Sequence, residues 1–399
     1  YGGAAGSPYD SRSAEVDELM WRLRDYLIVF SAGNTGPFRG TLTKDNKNAI
    51  LVASTDSPLT GGSIENISSF SSHGPTADGR IKPDLAAPGR VQAATEASGI
   101  LSSYGGLTSS TALDAAVNPV SPNNNHSLSQ LSGTSFSSAV VSGAGALVRQ
   151  YFTDGYYPQG KPDASSGFDP SNALVKAVLL NSSRNMSGRY TADSSPFAES
   201  ASLPSMGQGW GRLALDDALY FAGDRRELKV LADIMNGELS ADASRPAPYR
   251  AIQTGDVQEF TLAQVSSVEP LRITLCWADP KASTLSAVAL VNDLDLEVED
   301  PLGRVFRGNA GFQNGSTEWS PGAAPDRRNP VEAVYLSNPV PGGYKVRVIG
   351  RNVPGNGQTQ VLSQPGGILI DSNRQGYALI ATGSFHPPVT TTSVTLNGA

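Results

Sequence analysis

Two continuous apolar runs near the start of the chain constrain its fold more than any other feature. Residues 27–34 read LIVFSAGN and residues 48–54 read NAILVAS. Apolar runs without alternation indicate strands buried on both faces, as in a parallel sheet. Apolar residues at helical spacing over residues 13–26 precede the first run, with Ser13 as the predicted N-cap. The succession of helix, strand, loop and strand predicts a doubly wound α/β sheet.

The pattern changes near residue 223. Downstream, short apolar or alternating runs such as LRITLCWA (271–278) and GYALIATG (376–383) are separated by Gly, Pro and Asn. Short strands punctuated in this way predict an all-β sandwich or jelly roll. We therefore expect an α/β domain over residues 1–222, a β-sandwich domain over residues 223–384, and a Thr-rich tail or linker over residues 385–399.

Composition excludes several classes of protein. The net charge is −7 and no Lys/Arg-rich run is present, which argues against a nucleic-acid partner. No apolar segment is long enough to span a membrane. The single cysteine, Cys276, lies in a strand pattern and is interpreted as a buried core residue. N-x-S sequons compatible with secretion occur at Asn66, Asn125, Asn181, Asn185 and Asn314.

Three segments contain residues that can support catalysis. Residues 131–148, LSGTSFSSAVVSGAGALV, place Ser135 at the start of a predicted helix. Unpaired N–H groups there can stabilise an oxyanion, although a serine at this point is also an ordinary cap. In SAGNTGP, Asn34 follows a strand and offers an amide donor, but Asn and Gly are also common in turns. The third segment, FSSHGPTADGRIKPDLAAPG (70–89), predicts an ordered loop near the end of the sheet.

Taken together, the order and content of these three segments resemble the subtilisin-like serine proteases. SAGNTG resembles their oxyanion-hole segment, residues 70–89 resemble FSSRGPT…KPD…APG, and SGTSFSSAVVSGAGALV resembles their nucleophile segment. Phe136, Ala139 and His73 stand where that family usually has Met, Pro and Arg. Downstream, GQGWGRLALDDAL and LVNDLDLEVEDPLG resemble bacterial alkaline proteases with a C-terminal β-barrel. The resemblance implies the C-terminal portion of a subtilisin-like domain followed by an all-β domain.

The resemblance also implies a function and a set of site residues. Ser135 would be the acylated nucleophile of a secreted serine endopeptidase acting on protein or peptide substrates. The Asn34 side chain, with the Ser135 N–H, would form the oxyanion hole. Gly3 would end an edge strand that pairs with extended substrate, and Ala32 and Gly33 would line the primary specificity pocket.

The catalytic Asp and His of that family have no counterpart in this sequence. Neither a DTG- or DSG-like motif nor an HGTHVAG-like motif is present, and the histidines are His73, His126 and His386, none of which has the position of the base. We therefore expect an N-terminal fragment outside this chain to carry the Asp and His, and the chain alone to be inactive. The alternative is a pseudoprotease, or a binding or adhesion module, that kept the fold without the Asp/His pair.

A further expectation is structural calcium in the β-domain. Asp293 and Asp295 share one face of a predicted strand, and Asp279, Asp326 and Asn329 lie in neighbouring polar segments. Carboxylate and amide oxygens suit Ca²⁺, and the related β-barrel domains bind calcium. The alternative interpretation is a solvated acidic strand edge.

Overall fold

A computed structural model describes residues 3–36, 39–57, 63–91, 100–104, 127–188, 203–284, 286–355, 361–363, 369–371 and 373–385. Its helices are α1 (Ser11–Arg22), α2 (Thr134–Thr153) and α3 (Asn172–Asn181), with short 3₁₀ turns at Ala164–Ser166 and Leu215–Asp217. Asp10, rather than the predicted Ser13, caps α1, because its carboxylate accepts the Ser13 N–H. The helix also ends at Arg22, before the predicted residue 26.

The parallel strands predicted from the two apolar runs are confirmed. Strands β1 (Val29–Ser31), β2 (Ile50–Ser57) and β3 (Leu85–Val91) form a parallel sheet in the order β1-β2-β3. Every residue of β2 is buried, as expected for a central parallel strand. Helix α2 packs on this sheet, and β1 lies at its edge. Strands β4 (Ile100–Tyr104) and β5 (Ser127–Leu131) form a separate antiparallel pair.

The C-terminal half consists of antiparallel sheets. Its strands are β6 (Glu227–Ile234), β7 (Val257–Val265), β8 (Leu271–Cys276), β9 (Asp293–Glu299), β10 (Val305–Arg307), β11 (Phe312–Gln313), β12 (Ser316–Thr317), β13 (Val331–Leu336), β14 (Gly342–Asn352), β15 (Val361–Ser363), β16 (Leu369–Asp371) and β17 (Tyr377–Gly383). Two four-stranded sheets have the orders β10-β9-β14-β7 and β13-β8-β17-β6, and β11-β12 and β15-β16 form smaller pairs. The finer expectation of a jelly-roll topology stays a prediction.

The sheet β13-β8-β17-β6 is buried on both faces and joins the two halves of the chain. On β17, Leu379 and Ala381 lie in the core shared with the other four-stranded sheet. The alternate residues Ala378 and Ile380 lie in a second core with α2 and α3. Because α3 is buried along its whole length against β8 and β17, the half with the parallel sheet and the half with the antiparallel sheets share a continuous interior. Cys276 is buried there, as predicted.

A buried polar cluster also connects the two halves. The ammonium of Lys47 lies 2.6 Å from a carboxylate oxygen of Asp279, and both side chains are fully buried. Asn48 bonds to the backbone of Asp279 in both directions, donating to its carbonyl at 2.7 Å and accepting its N–H at 2.8 Å. The segment just before β2 is therefore fixed to the residue that follows the sandwich strand β8.

The predicted tail falls almost wholly on residues 386–399, which lie outside the described residues. Among the residues that are described, no helix combines the length and apolar character needed to cross a membrane.

Candidate active site

Asn34 and the start of α2 are bound directly to each other. The Oδ1 atom of Asn34 accepts the Thr134 backbone N–H at 3.0 Å and its hydroxyl at 2.8 Å. The Thr134 hydroxyl oxygen in turn accepts the Gly33 N–H at 3.3 Å. The loop after β1 is thereby attached to the helix that carries Ser135, so two distant predicted site residues lie together. Sequence reasoning missed Thr134, although it immediately precedes the predicted nucleophile.

This attachment fixes the orientation of the Asn34 amide. Because Oδ1 accepts both Thr134 groups, the Nδ2 group is the end that remains available as a donor. Nδ2 lies beside Gly133, where an added Cβ would come within 3.3 Å of it. Asn34 itself is exposed.

A close approach of β3 positions the start of α2 from the other side. The N–H of Gly133 donates to the Gly89 carbonyl at 3.0 Å. A Cβ on Gly89 would come within 2.2 Å of the Ser137 hydroxyl and 2.8 Å of the Gly133 carbonyl. Only glycine fits at this position without displacing the helix start. Gly89, the last residue of the segment at residues 70–89, thus positions the start of α2.

Ser135 is exposed and is the second residue of α2. No described residue forms a hydrogen bond with its hydroxyl, whereas its backbone carbonyl accepts the Ser138 hydroxyl at 2.7 Å. Its N–H lies in the first helical turn, where backbone donors have no partner within the helix. The hydroxyl therefore has no bonding partner among the described residues.

His73 is buried away from solvent, which fits a structural side chain. Its backbone pairs with Thr41: the His73 N–H donates to the Thr41 hydroxyl at 2.9 Å, and the Thr41 N–H donates to the His73 carbonyl at 2.9 Å. Burial lowers the pKa of its imidazole to about 4, so the ring is neutral at pH 7. His126 and His386 lie outside the described residues.

Thr43 connects the residues predicted to bind substrate. Its carbonyl accepts the Gly3 N–H at 2.8 Å, and its own N–H donates to the Ala32 carbonyl at 3.1 Å. Gly33 has a φ of +122°, and a Cβ there would lie 2.7 Å from the Ser72 hydroxyl. Gly3 is exposed, whereas Ala32 and Gly33 are buried. Gly3, Ala32 and Gly33 therefore all lie next to Thr43, a residue that the sequence analysis did not predict to be part of the site.

A family comparison agrees with this arrangement. Residues 3–211, more than half of the chain, match the family model described as the subtilase family, Peptidase_S8. The chain belongs to the subtilase family. The matched segment of this subtilase contains Gly3, Ala32, Gly33, Asn34 and Ser135, and it ends before β6, the first strand of the two four-stranded antiparallel sheets.

Similar proteins are much longer than this subtilase chain. It is 32% identical over 313 residues to the serine protease/ABC transporter B family protein tagA of Dictyostelium discoideum, a match that covers 75% of the chain and 15% of the relative. The similar protein tagD of the same organism is 30% identical over 310 residues, covering 72% of the chain and 16% of the relative. A C5a peptidase of Streptococcus pyogenes serotype M3 is 38% identical over 145 residues, covering 36% and 9%.

The side chains predicted to hold calcium do not fit that ion as they are arranged. Asp279 pairs with Lys47, and Asp293 and Asp295 lie 2.8 and 2.5 Å from the Arg327 guanidinium. Asp326 accepts two side-chain amides, and the Asn329 oxygen accepts the Ile81 N–H at 2.8 Å. Among the described residues, no group of three or more acidic, His or Cys side chains is arranged to hold a metal. Calcium binding by this subtilase stays a prediction.

Glu332 is a buried acid beside this region that sequence reasoning missed. Its Oε2 accepts the Leu296 N–H at 2.6 Å, and its Oε1 has no partner among the described residues. Burial, followed by the nearby Asp326, Asp295 and Asp293, raises the pKa of Glu332 well above its usual value near 4.5. The folded protein therefore keeps a proton on Glu332 at a pH where the unfolded chain has lost it.

This proton makes stability depend on pH. As pH rises above about 4.5, the wild type should lose about 1.4 kcal/mol for each unit by which folding raises the pKa of Glu332. Glu332→Gln removes the titration, so we expect the variant to match the wild type at pH 4 and exceed it at pH 8. Urea unfolding across this range measures the difference. If the difference in unfolding free energy between the variant and the wild type did not change with pH, the raised pKa of Glu332 would be contradicted.

Proposed function

We propose that this subtilase chain is the serine-bearing part of a serine endopeptidase that hydrolyses peptide bonds through an acyl-enzyme at Ser135. The observation that carries the proposal is the bond pair between Asn34 and Thr134. It directs the Asn34 amide donor toward the start of the helix on which an exposed, unpartnered serine hydroxyl lies. A donor preorganised beside a nucleophile is what acyl transfer requires.

Each described residue has a role in the proposed reaction. The Ser135 hydroxyl attacks the scissile carbonyl after a histidine outside this chain removes its proton. Asn34 Nδ2 and the Ser135 N–H donate to the oxyanion that forms. The histidine then protonates the leaving amine, and water releases the acyl group from Ser135.

We propose that the polypeptide carrying the Asp and His packs on an open surface next to Ser135. On α2, the exposed residues beyond Ser135, as far as Gln150, are uncharged, and most are small or apolar: Ala139, Val140, Ser142, Gly143, Ala146, Leu147 and Gln150. Val140 and Leu147 are 41% and 57% exposed. Strand β1 lies beside them at the edge of the sheet, where unpaired backbone groups can receive another strand. An uncharged helix face beside an open sheet edge supports burial by further chain.

Substrates of the proposed enzyme are extended peptides that add as a strand beside Gly3. The Gly3 N–H already donates to Thr43, so its carbonyl is the backbone group available to a substrate. In this proposal the sandwich braces the site, because Asp279 and Asn48 fix the segment that leads from Thr43 into β2.

Replacing Asn34 with aspartate tests the oxyanion role. Asn34→Asp keeps an oxygen for both Thr134 donors but removes the amide donor, so the loop should stay in place. We expect kcat of the full-length protein to fall about 10²- to 10³-fold with little change in KM. The control is Ser142→Ala, an exposed hydroxyl two turns along α2 that donates to the Ser138 carbonyl. Equal rates for Asn34→Asp and the control would contradict the proposal.

A second candidate is a pseudoprotease or binding module that keeps the fold without chemistry. It is favoured by the absence of any described side chain bonded to the Ser135 hydroxyl and by the burial of His73. The two candidates differ in one readout, since only the protease hydrolyses a protein such as casein and loses that activity when Ser135 is modified.

We also propose an extracellular location. Of the sequons, Asn314 is exposed, and Asn66 and Asn185 are partly exposed, so glycans can be attached there. Asn181 is buried and donates to Thr274 at 3.0 Å, which excludes a glycan in the folded protein. Asn125 lies outside the described residues.

A further inference from the structure

A small cavity adjoins the residues proposed to bind substrate. Its volume is about 80 Å³, and its walls include Gly3, Ser7, Phe30, Thr43 and Lys44. Thr43 connects the cavity to Gly3 and to the Ala32 carbonyl through its backbone bonds. The cavity is therefore next to the loop that was predicted to form the primary specificity pocket.

Lys44 brings a positive charge to this cavity. Its ammonium donates to the Ser31 carbonyl at 2.9 Å and lies 5.5 Å from the centre of the Phe30 ring. Longer contacts of 3.4 Å join it to the hydroxyls of Ser31 and Thr43. No carboxylate among the described residues pairs with it. Partial burial lowers the pKa of Lys44.

The acidic residues around the cavity are already compensated. Asp10 caps α1 and accepts the Ser13 N–H at 2.8 Å, where the positive end of the helix dipole offsets its charge. Asp45 pairs with the buried Arg80 and accepts the Ala77 N–H at 3.2 Å. Arg12 also lines the cavity and is exposed. Asp45 shares Arg80 with Asp78, and neither Asp45 nor Asp10 pairs with Lys44, so Lys44 is a cation at this cavity that no described carboxylate pairs with.

We infer that Lys44 is a specificity-determining residue that receives an acidic side chain of the substrate, at the residue preceding the scissile bond. The inference rests on the proposed function. A carboxylate entering the cavity supplies the counter-charge that Lys44 lacks and forms a charge-assisted hydrogen bond. A neutral side chain leaves the ammonium without a counter-charge, and a basic one adds repulsion. The substrate class is thus proteins cleaved after Glu or Asp.

Matched peptides test the inference on the full-length protein. The peptides are identical except for Glu, Gln, Leu or Lys before the scissile bond, and kcat/KM is measured for each. We expect Glu to be preferred over the nearly isosteric Gln by about ten- to a hundredfold. In Lys44→Met, of similar length but uncharged, the ratio of kcat/KM for the Glu peptide over the Gln peptide should fall to about one. Lys44→Arg should keep the preference for Glu.

The outcomes separate this inference from the proposed function. Labelling of Ser135 by a fluorophosphonate, together with equal rates for Glu and Gln peptides in the wild type, would overturn the Lys44 assignment alone. The wild-type comparison needs no variant, so a misfolded Lys44→Met protein does not prevent a decision. Failure of both labelling and hydrolysis would overturn the assignment and the proposed function together.

Discussion

Replacing Ser135 with alanine is expected to lower kcat of the full-length protein by about 10⁶-fold, the cost of removing a serine nucleophile when the rest of the site remains. The hydroxyl is exposed and forms no hydrogen bond with a described residue, so its loss should not disturb the fold. The oxyanion donors and substrate contacts stay in place, which leaves a small residual rate. Casein hydrolysis and the urea unfolding midpoint measure activity and stability on the same preparation.

Ser142→Ala is the matched control for this experiment. It removes another exposed hydroxyl from the same face of the helix, two turns from Ser135, and leaves a small uncharged side chain like its neighbours, so we expect activity within a few-fold of the wild type. If Ser135→Ala retained wild-type activity, any hydrolysis would come from another site, and Ser135 would not be the nucleophile.

Replacing Asp279 with asparagine is expected to lower the free energy of unfolding by about 3–5 kcal/mol. The change removes the nearer of two buried carboxylates from the fully buried Lys47 ammonium, since Asp279 lies at 2.6 Å and Asp17, at 4.0 Å, would be the only one left. The remaining acceptors of Lys47 are the carbonyls of Pro280 and Ala289, which carry no full charge. Burial raises the pKa of Asp279 although Lys47 acts in the opposite direction, so the pair adds little net stability while its disruption is costly.

A double-mutant cycle makes the Asp279 prediction specific. Adding Lys47→Met to Asp279→Asn removes both members of the close pair, so the double variant should be more stable than the sum of the single changes implies. The control is Glu259→Gln, which breaks an exposed ion pair with Arg347 at 2.7 Å and should cost less than about 1 kcal/mol. Urea titration gives each value. A cost for Asp279→Asn as small as that of Glu259→Gln would contradict a buried pair between the two halves.

The sequence predicted those features that depend on local pattern. Continuous apolar runs identified β1 and β2, because a central parallel strand is buried on both faces. The GTS segment predicted the start of α2, since a helix N-terminus has a strong local signature. The family resemblance predicted that Asn34 and Ser135 belong to one site. The hydrogen bonds between Asn34 and Thr134, the residue before Ser135, explain physically how the two segments are held together.

Features that depend on contacts between distant segments were not predictable in this way. The sequence predicted Asp279 as a metal ligand. Its partner in the structure, Lys47, lies 232 residues away, so local pattern could not identify the pair. Glu332 is a single acid in the apolar run VEAVYL, and the sequence does not say whether its side chain is buried. Only the packing of the antiparallel sheets reveals its burial. Lys44 is followed directly by Asp45 in the sequence, and only the structure reveals that this carboxylate pairs with Arg80 and not with Lys44.

Fluorophosphonate labelling with mass mapping of the adduct tests the central claim most directly. The claim is that Ser135 is a nucleophile whose base comes from polypeptide outside this chain. We predict an adduct on Ser135 in the full-length protein and none in the 399-residue chain alone. Absence of an adduct in the full-length protein would contradict the nucleophile, and equal labelling of the chain alone would contradict the external base.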